Sequence, residues 1–397
     1  MKIIYILNGL GFSRGMPIGG ADKRALEIGR SLLNEGNEIT FLTTDAGEEV
    51  LEKWGGAGFS FITVKRPFFW PKFLENNLIG RVISYVYVII SDIFTICSMP
   101  ATTGQIIYPT SDMFFDLLPA ALIKFRNSHS KTAGIIHHWV RSPKERGGDF
   151  IPNLLLFFSQ QTGFFILKLT ADLVFYPKTD EGLMIKKSLL SFGFPENKLF
   201  EFQNGINIAE IEKIPDQEKI YEAVFLGSLR PSKGIFDLVS VWQSVLKEFP
   251  KARLLVIGGG ADEYTARLKE GIEEAGLQEK IILAGVVPQD ELYKKIKSAK
   301  VMIAPSYEEG WGISVGEAIA CGLPVVAYDL PAYNRYGKAL ILIPIGDKEI
   351  FSEKIINLIK ENIQNISKDD EIKNLIKDLD WSKSAAIEGA HLMSLIQ

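Results

Sequence analysis

The stretch PSYEEGWGISVGEAIACGLPVVAYD, residues 305–329, has the order of a strand end, a glycine-rich turn, a short apolar helix and a second strand. The apolar run VMIAPS leads into the turn, and the run PVVAYD follows the helix. Gly322 and Pro324 mark the end of the helix, because glycine accepts a left-handed conformation there and proline cannot continue the helix. This order is typical of a parallel α/β sheet.

Two glutamates lie on either side of this turn, Glu309 in the loop and Glu317 inside the helix. A helix that starts near Gly312 offers the backbone N–H groups of Gly312, Ile313 and Ser314 to an anion such as phosphate. A buried carboxylate needs hydrogen-bond partners, and a hydroxyl-rich ligand would supply them. A nucleotide sugar has this layout, with a diphosphate between two polyhydroxyl groups. The alternative is that Glu317 pairs with a lysine or arginine and that Glu309 is solvated.

Two further strand ends carry residues suited to phosphate. In FLGSLRPSKGIFDLV, Gly227 follows a strand, and Arg230 and Lys233 lie in the next loop. Cations at this point could neutralise a diphosphate leaving group, although surface solvation is the alternative for either one. The run VIGGG places Gly258 in a similar turn, which by itself is a weak signal.

The alternation of strands and helices runs through both halves of the chain. KIIYIL, EITFLTT and FSFITV are strand-like runs, and DKRALEIGRSLLNEG has helical spacing with a glycine stop. Further strands are predicted to end at Tyr108, His137 and Tyr176. This order predicts a doubly wound parallel sheet.

A second domain follows a turn-rich segment, residues 203–219, that we interpret as a linker. A chain of 397 residues also exceeds what one hydrophobic core usually organises. We therefore predict two Rossmann-like domains, residues 1–205 and 206–380. The final helix, about residues 381–397, is expected to pack back on the first domain.

Composition narrows the function classes. Charged residues make up 23% and hydrophobic residues 47% of the chain, which is a globular balance. The formal net charge of −4 argues against a general nucleic-acid binder, so no nucleic-acid partner is predicted. Cys97 and Cys321 are far apart in apolar contexts, which favours a reducing cytosol. The Asp-x-Asp spelling at residues 378–380 is interpreted as a solvated turn, so no metal is predicted.

Apolar segments raise the question of a membrane. The N-terminal run reads as a buried strand and not as a signal peptide. The segment 150–167 is long enough to span a bilayer but contains Pro152, Asn153, Gln160 and Gln161. No transmembrane helix is predicted.

In order and spacing, GSLRPSKG, LLVIGGG and the long segment from AGVVPQDEL to PVVAYD resemble retaining family 4 glycosyltransferases of the GT-B fold. MPIGGADKRALEIGRSLLNEGNEITFLTT resembles the first domain of the same family. The resemblance covers nearly the whole chain and is strongest at residues 220–330. It implies two domains that face across a cleft, a nucleotide-diphosphate sugar of UDP or GDP type as donor, retention at the anomeric carbon, and no cofactor.

The resemblance also implies residue roles. Glu309 would contact the hydroxyls of the donor sugar, Glu317 the ribose, and Arg230 and Lys233 the diphosphate. Ser228 departs from the family, which often has arginine there, so the role of Arg230 is less well supported than that of Lys233. The implied donor-binding set is Gly19, Gly20, Gly227, Ser228, Arg230, Lys233, Gly258, Val286, Glu309, Gly310, Trp311, Gly312, Ile313, Ser314 and Glu317.

A histidine close to the acceptor is common in the family, and TAGIIHHWV offers His137 and His138. Both end a predicted strand, whose side chains alternate, so only one can face the cleft, and the sequence leaves open which one. The catalytic candidates are therefore His138, His137, Glu309, Lys233 and Arg230.

Three other functions compete with this interpretation. A nicotinamide-dependent oxidoreductase would need G-x-G-x-x-G after the first strand, where NGLGFSRG has Arg14 in place of the third glycine. A sugar-nucleotide epimerase of the same architecture and a non-catalytic nucleotide-sugar-binding protein remain as alternatives.

The acceptor is expected to be a glycan or a lipid-linked molecule. VKRPFFWPKFL, residues 64–74, combines lysine and arginine with aromatic residues, and the segment 78–94 after it is unusually apolar. Such a segment could lie on an anionic membrane surface, and FFSQQTGFFIL, residues 157–167, adds to this. Ordinary core packing is the alternative. The expected location is cytoplasmic, peripheral on the inner face of the cell membrane.

Overall fold

Parallel β-strands form two separate sheets in the computed structural model of the protein, which describes residues 1–9, 18–66, 78–99, 104–146, 150–361 and 366–396. Each sheet belongs to its own compact unit. The first unit contains residues 1–203 and 381–397, and the second contains residues 204–380.

The first unit has a seven-stranded sheet with the order β3-β2-β1-β4-β5-β6-β7. Its strands are β1 (Lys2–Leu7), β2 (Glu38–Thr44), β3 (Ser60–Val64), β4 (Gln105–Pro109), β5 (Lys131–Ile135), β6 (Leu173–Pro177) and β7 (Leu199–Phe202). Its helices before the second unit are α1 (Gly20–Asn34), α2 (Asp45–Lys53), α3 (Leu78–Ser98), α4 (Phe114–Arg126), α5 (Phe150–Thr170) and α6 (Asp180–Ser191).

The second unit has a six-stranded sheet with the order β10-β9-β8-β11-β12-β13. Its strands are β8 (Tyr221–Leu226), β9 (Leu254–Ile257), β10 (Ile281–Gly285), β11 (Ala299–Ala304), β12 (Val325–Tyr328) and β13 (Leu340–Ile343). Its helices are α7 (Ile208–Lys213), α8 (Asp237–Glu248), α9 (Asp262–Glu274), α10 (Gln289–Lys297), α11 (Ile313–Ala320), α12 (Lys348–Glu361) and α13 (Asp370–Asp378). The chain then returns to the first unit with α14 (Trp381–Ser394).

Both sheets are parallel throughout the described pairings, and their central strands are buried on both faces. Near-continuous apolar runs such as residues 3–7 fit this burial, because helices cover each face of a parallel sheet. The strand order reverses beside β1 in the first sheet and beside β8 in the second. In open parallel sheets, ligands bind outside the carboxyl ends of the strands at such a reversal.

Several sequence interpretations need correction. β5 ends at Ile135, so His137 and His138 lie in the loop after the strand, and strand alternation does not choose between them. Asp380 is not in a solvated turn: it forms a bridge with Ile206, whose N–H donates to the Leu379 carbonyl. The segment interpreted as a linker contains α7.

Helix α5 forms one continuous helix from Phe150 to Thr170, despite the polar residues within it. Its length and composition are sufficient to cross a bilayer, and 28% of its most apolar window is buried inside the protein. The buried face includes Ser159, Gln160 and Gly163.

A buried ion pair attaches α14 to the first sheet. Arg24 on α1 pairs with Glu388 on α14, and both side chains are at most 3% exposed. The Tyr108 hydroxyl donates to Glu388 Oε1 at 2.8 Å, and the Arg24 guanidinium lies 4.3 Å from the Phe202 ring centroid. The C-terminal helix therefore neutralises a cation that the first unit buries.

The variant Glu388→Ala is expected to destabilise the protein by about 3–5 kcal/mol, because it leaves the guanidinium of Arg24 buried without its counter-charge. Scanning calorimetry measures this as a lower melting temperature. Glu248→Ala is the matched control, because Glu248 pairs with Lys360 at the surface, where both side chains are about half exposed. Equal melting temperatures for both variants would contradict the structural role of this pair.

Candidate functional site

The predicted donor-binding residues of the second unit lie at one edge of its sheet. Gly227 follows β8, Gly258 follows β9, Val286 follows β10, and the loop 305–312 follows β11. The carboxyl ends of parallel strands meet at the same edge, so these positions are neighbours in space. The reversal of strand order falls between β8 and β11, beside this loop.

Glycines allow the loops of this edge to touch through their backbones. Gly234 has a φ of +68°, and a Cβ atom added there would overlap the carbonyl oxygen of Pro305. Gly258 has a φ of +142°, and an added Cβ would overlap the Gly227 carbonyl oxygen. The Tyr307 N–H also donates to the Ser232 carbonyl at 2.9 Å. The loops after β8, β9 and β11 are therefore joined without side chains between them.

This contact brings Lys233 and Glu309 together as an ion pair. Each side chain is only 12% exposed, and the Ser306 hydroxyl donates to Glu309 Oε1 at 3.3 Å. Burial lowers the pKa of Lys233 below its usual value. The Glu309 carboxylate opposes this lowering, and the charge of Arg230 adds to it. Glu309 is thus a paired carboxylate and not the solvated side chain of the alternative interpretation.

Helix α11 begins beside this ion pair. Gly312 precedes the helix in a left-handed conformation, with φ +82° and ψ 48°. A Cβ atom added at Gly312 would lie 2.7 Å from the Tyr333 ring, and the Tyr336 hydroxyl donates to the Gly312 carbonyl at 2.9 Å. Ile313 and Ser314 supply the first N–H groups of the helix, where anions are favoured.

Glu317 lies in the middle of α11 and is only 3% exposed. Its Oε1 accepts a hydrogen bond from the Tyr293 hydroxyl of α10 at 3.1 Å. Burial raises the pKa of Tyr293, and the nearby Glu317 carboxylate adds to this, so the phenol stays protonated as a donor. The structure therefore has a buried carboxylate in this apolar helix, as the sequence predicts.

The remaining predicted residues of this unit surround the ion pair and α11. Arg230 is exposed and precedes the 3₁₀ turn Pro231–Lys233. Ser228 and Gly310 are partly buried. The Trp311 ring is buried, and the guanidinium of Arg335 lies 3.3 Å from its centroid.

Sequence reasoning does not find the partners Tyr293, Ser306 and Arg335. Tyr293 is one of several apolar residues at helical spacing in α10, together with Leu292 and Ile296, and is read as core. A buried tyrosine hydroxyl usually has a hydrogen-bond partner, which is the signal that could have pointed to a polar group nearby.

In the first unit, His137 lies just past β5. Its Nε2 is 2.8 Å from the Thr110 carbonyl oxygen, and its ring meets the edge of Phe202 with centroids 5.8 Å apart. Burial lowers the pKa of His137 to about 3, with Arg24 adding to the lowering. The imidazole is therefore neutral at pH 7, with Nε2–H as donor to the carbonyl and Nδ1 as acceptor.

The loop after His137 is fixed through its backbone. The His138 carbonyl accepts from Gln160 Nε2 at 2.8 Å, and the Trp139 N–H donates to Glu181 Oε1 at 2.9 Å. The structure thus brings the two histidines next to each other in one loop at the carboxyl edge of the first sheet.

Buried carboxyl groups lie near the end of β1. Asn8 donates through its backbone N–H to Asp116 Oδ1 at 2.8 Å and through Nδ2 to Asp92 Oδ2 at 2.7 Å. Burial raises the pKa of Asp92 to about 7 and that of Asp116 to about 8. This cluster cannot be predicted from the sequence, because its members come from three distant segments.

Gly19 and Gly20 form the start of α1. Gly19 is the N-cap residue, its N–H donates to Asp22 Oδ2 at 3.1 Å, and Gly20 is the first helical residue. The residues before Gly19 that distinguish a nicotinamide fingerprint, including Arg14, lie outside the described residues. Within the described ranges, no group of three or more His, Cys, Asp or Glu side chains is arranged to hold a metal ion.

Comparison with known proteins finds relatives of the second unit. Residues 207–377 match the family model of glycosyl transferases group 1. Phosphatidyl-myo-inositol mannosyltransferase of Mycobacterium leprae is 32% identical over 172 residues, which are 41% of this chain and 45% of that protein. GDP-mannose:cellobiosyl-diphosphopolyprenol alpha-mannosyltransferase of Xanthomonas oryzae pv. oryzae is 27% identical over 35% of this chain and 37% of that protein. The chain spans less than half the length of these curated relatives.

A solved structure resembles the chain over its whole length. Anabaena HepE, crystallised with UDP and glucose, aligns with a TM-score of 0.70 over 99% of this chain and 100% of that chain, at 16% sequence identity. At this identity the likeness concerns the fold alone. The predicted α/β class, with two Rossmann-like parallel sheets of the GT-B fold, is confirmed.

The buried carboxyl groups of the first unit predict a pH dependence of stability. The pKa of Asp116 is 3.8 in the unfolded chain and about 8 when folded, so its contribution is fully present below pH 3.8 and is lost as the pH rises through 8. We expect Asp116→Asn to reduce the fall in melting temperature between pH 6 and pH 8.5. The surface variant Glu248→Gln should leave that fall unchanged. An Asp116→Asn protein with the wild-type pH dependence would contradict the assignment.

Proposed function

Because residues 207–377 match the family model of glycosyl transferases group 1, we propose that the chain is a retaining glycosyltransferase that moves a sugar from a nucleotide-diphosphate donor to a hydroxyl acceptor. The observation that carries the proposal is the edge of the second sheet. A buried ion pair, the N-terminus of α11 and the buried Glu317 lie there. They follow one another in the same order as the sugar, the diphosphate and the ribose of the donor.

Each part of the donor has a suitable partner at this edge. The ribose hydroxyls donate to Glu317, which also accepts a hydrogen bond from the Tyr293 hydroxyl. The diphosphate binds the first N–H groups of α11 together with Lys233 and Arg230. The hydroxyls of the sugar donate to Glu309. Lys233 thus exchanges Glu309 for the diphosphate, and Glu309 exchanges Lys233 for the sugar hydroxyls. Donor binding therefore replaces an existing ion pair.

The charge that develops on the leaving diphosphate needs stabilisation in the transition state. Lys233, Arg230 and the dipole of α11 are fixed cationic and partially positive groups, which can act without reorganising. No metal ion is part of the proposal. The base is of UDP or GDP type, as the names of the compared proteins include both nucleotides.

His137 and His138 are proposed to serve the acceptor. His137 stays neutral, and its bond to Thr110 is made by Nε2 and not by Nδ1. Nδ1 can therefore accept a hydrogen bond from a hydroxyl group. His138 is the alternative in the same loop. Both histidines lie in the loop after β5, so both are candidates for this role at the acceptor.

The variants Lys233→Ala and Glu309→Gln are each expected to lower transfer by roughly 100-fold or more, because removal of one charge-stabilising group commonly has this effect. The measurement is the initial rate of acceptor-dependent release of UDP or GDP from a panel of donor sugars. Lys338→Ala is the matched control, since Lys338 is a half-exposed cation of the same unit that pairs with Asp369.

Unchanged rates in Lys233→Ala and Glu309→Gln proteins that still fold would contradict these roles. Nucleotide release or donor isomerisation that needs no acceptor would favour the epimerase alternative. Donor binding without any turnover would favour a nucleotide-sugar-binding protein.

A lipid-linked acceptor is proposed because of the surface of the first unit. Helix α5 exposes a stripe of apolar residues at helical spacing: Ile151, Leu155, Phe158, Phe165 and Leu169. Helix α3 exposes a second stripe: Ile79, Ile83, Val86, Ile90 and Phe94. Both helices pack against α4. Ordinary core packing is therefore not the role of these faces.

Basic residues precede both helices in the sequence. Lys65 precedes α3 in sequence, and Arg141 and Lys144 precede α5; all three are exposed. The aromatic residues 68–70 between Lys65 and α3 lie outside the described residues. Apolar stripes with neighbouring cations favour attachment to an anionic membrane surface. Two compared proteins are named for lipid or diphosphopolyprenol substrates, which agrees with this proposal. It puts the protein at the inner face of the cell membrane.

The double variant Phe158→Ser, Phe165→Ser is expected to bind vesicles containing 30% anionic lipid at least about tenfold more weakly than the wild type, since it removes two large apolar groups from the contact. Co-sedimentation at low salt measures the binding. Ile345→Ser is the control, because Ile345 is an exposed apolar residue of the second unit. A wild-type protein that ignores these vesicles would contradict membrane attachment.

A further inference from the structure

Gln160 is a fully buried amide in a helix whose opposite face is exposed. It lies in the middle of α5 and has no exposed surface, while Phe158 two residues earlier is 58% exposed. Its Oε1 accepts from the Val140 N–H at 2.9 Å. Its Nε2 donates to the His138 carbonyl at 2.8 Å and to Asp112 Oδ2 at 2.6 Å.

These bonds fix a loop that has few other backbone partners. The loop 137–140 follows β5, and its polar backbone groups bond to side chains: the His138 carbonyl and the Val140 N–H to Gln160, and the Trp139 N–H to Glu181. A buried backbone group needs such a partner, so the side chain that supplies it determines the path of the loop. Gln160 supplies two of the three.

The same helix also holds the neighbouring loop, which contacts His137. A Cβ atom added at Gly163, one turn after Gln160, would overlap the carbonyl oxygen of Asp112. The Phe114 N–H is within 3.4 Å of the Ser159 hydroxyl oxygen. Thr110, two residues before Asp112, accepts the hydrogen bond of the His137 ring. Helix α5 therefore sets both loops that position the two histidines.

We propose that Gln160 is a positioning residue for the transfer step, which holds the histidine loop at the acceptor side through the Val140 N–H, the His138 carbonyl and Asp112. This inference rests on the proposed transfer function. Because α5 also carries the exposed stripe proposed to lie on the membrane, the loop is held by the helix that contacts the bilayer.

Two substitutions at Gln160 alter its three hydrogen bonds in different ways. A leucine of similar volume fills the buried space and loses all three hydrogen bonds, which frees the loop. A glutamate keeps the oxygen that accepts from Val140 but, when ionised, cannot donate to the His138 carbonyl and faces the Asp112 carboxyl. At lower pH the glutamate carries a proton and can donate again.

The test compares Gln160→Leu and Gln160→Glu with the control Gln161→Leu, the same change one residue further along the helix. For Gln160→Leu we expect the acceptor-dependent kcat to fall by roughly 100-fold, as for a reacting group displaced by about 1 Å. The dissociation constant for UDP or GDP is expected to stay as in the wild type, because the proposed nucleotide site lies in the second unit. For Gln160→Glu we expect the pH optimum of kcat to move to lower pH.

Hydrogen exchange of the Val140 amide tests the same inference without turnover. It is expected to be faster in Gln160→Leu than in the wild type and unchanged in Gln161→Leu. If the wild type transfers no sugar while this exchange behaves as expected, the proposed function fails and the loop contact stands. The inference is overturned if a folded Gln160→Leu protein keeps its kcat, if Gln160→Glu keeps the wild-type pH profile, or if Gln161→Leu has the same effects.

Discussion

The candidate site of the second unit depends on the close approach of backbone segments at the carboxyl edge of one parallel sheet. Gly234 lies against Pro305, and Gly258 lies against Gly227, at separations that leave no room for a side chain. Positive φ angles at Gly234 and Gly258 add a second reason for glycine. Because these contacts join the loops, Lys233 from one loop and Glu309 from another can form a buried ion pair. Charged groups fixed in this way are prepared for a ligand before it arrives.

The sequence is informative wherever the signal is local. Strand ends, the glycine turns and the limits of α11 follow from short patterns, and they place Lys233, Glu309 and Glu317 at one edge. Partners across space are not local, so the sequence does not pair Lys233 with Glu309 or Glu317 with Tyr293. The family resemblance implies roles for these residues.

Two errors in the interpretation of the sequence have physical causes. The apolar residues that run up to His137 and His138 predict a strand there, whereas the pairing of β5 with β6 ends at Ile135 and Phe175. In the sequence, Gln160 interrupts an apolar run as a polar residue. Its actual environment is a set of backbone groups from another loop, which periodicity along α5 cannot reveal. In both cases the contacts involve the loop after β5 and not the strand itself.

The first unit combines polar groups that are buried with apolar groups that are exposed. Arg24 and Glu388 attach the C-terminal helix, and Gln160 attaches α5, each through contacts that span a long stretch of sequence. The outer faces of α3 and α5 are apolar where a soluble surface would carry charges. The apolar outer face agrees with the lipid-linked acceptor proposed above.

We propose above that the buried carboxylate of Glu317 accepts hydrogen bonds from the ribose of a nucleotide. Isothermal titration calorimetry with UDP and GDP, and with the 2′,3′-dideoxy form of whichever binds, tests this claim most directly. We expect that loss of the ribose hydroxyls weakens binding to the wild type by roughly 10- to 100-fold, because these hydroxyls donate to a charged group. We expect a much smaller difference in Glu317→Gln. Equal binding of the two nucleotide forms by the wild type would contradict the claim.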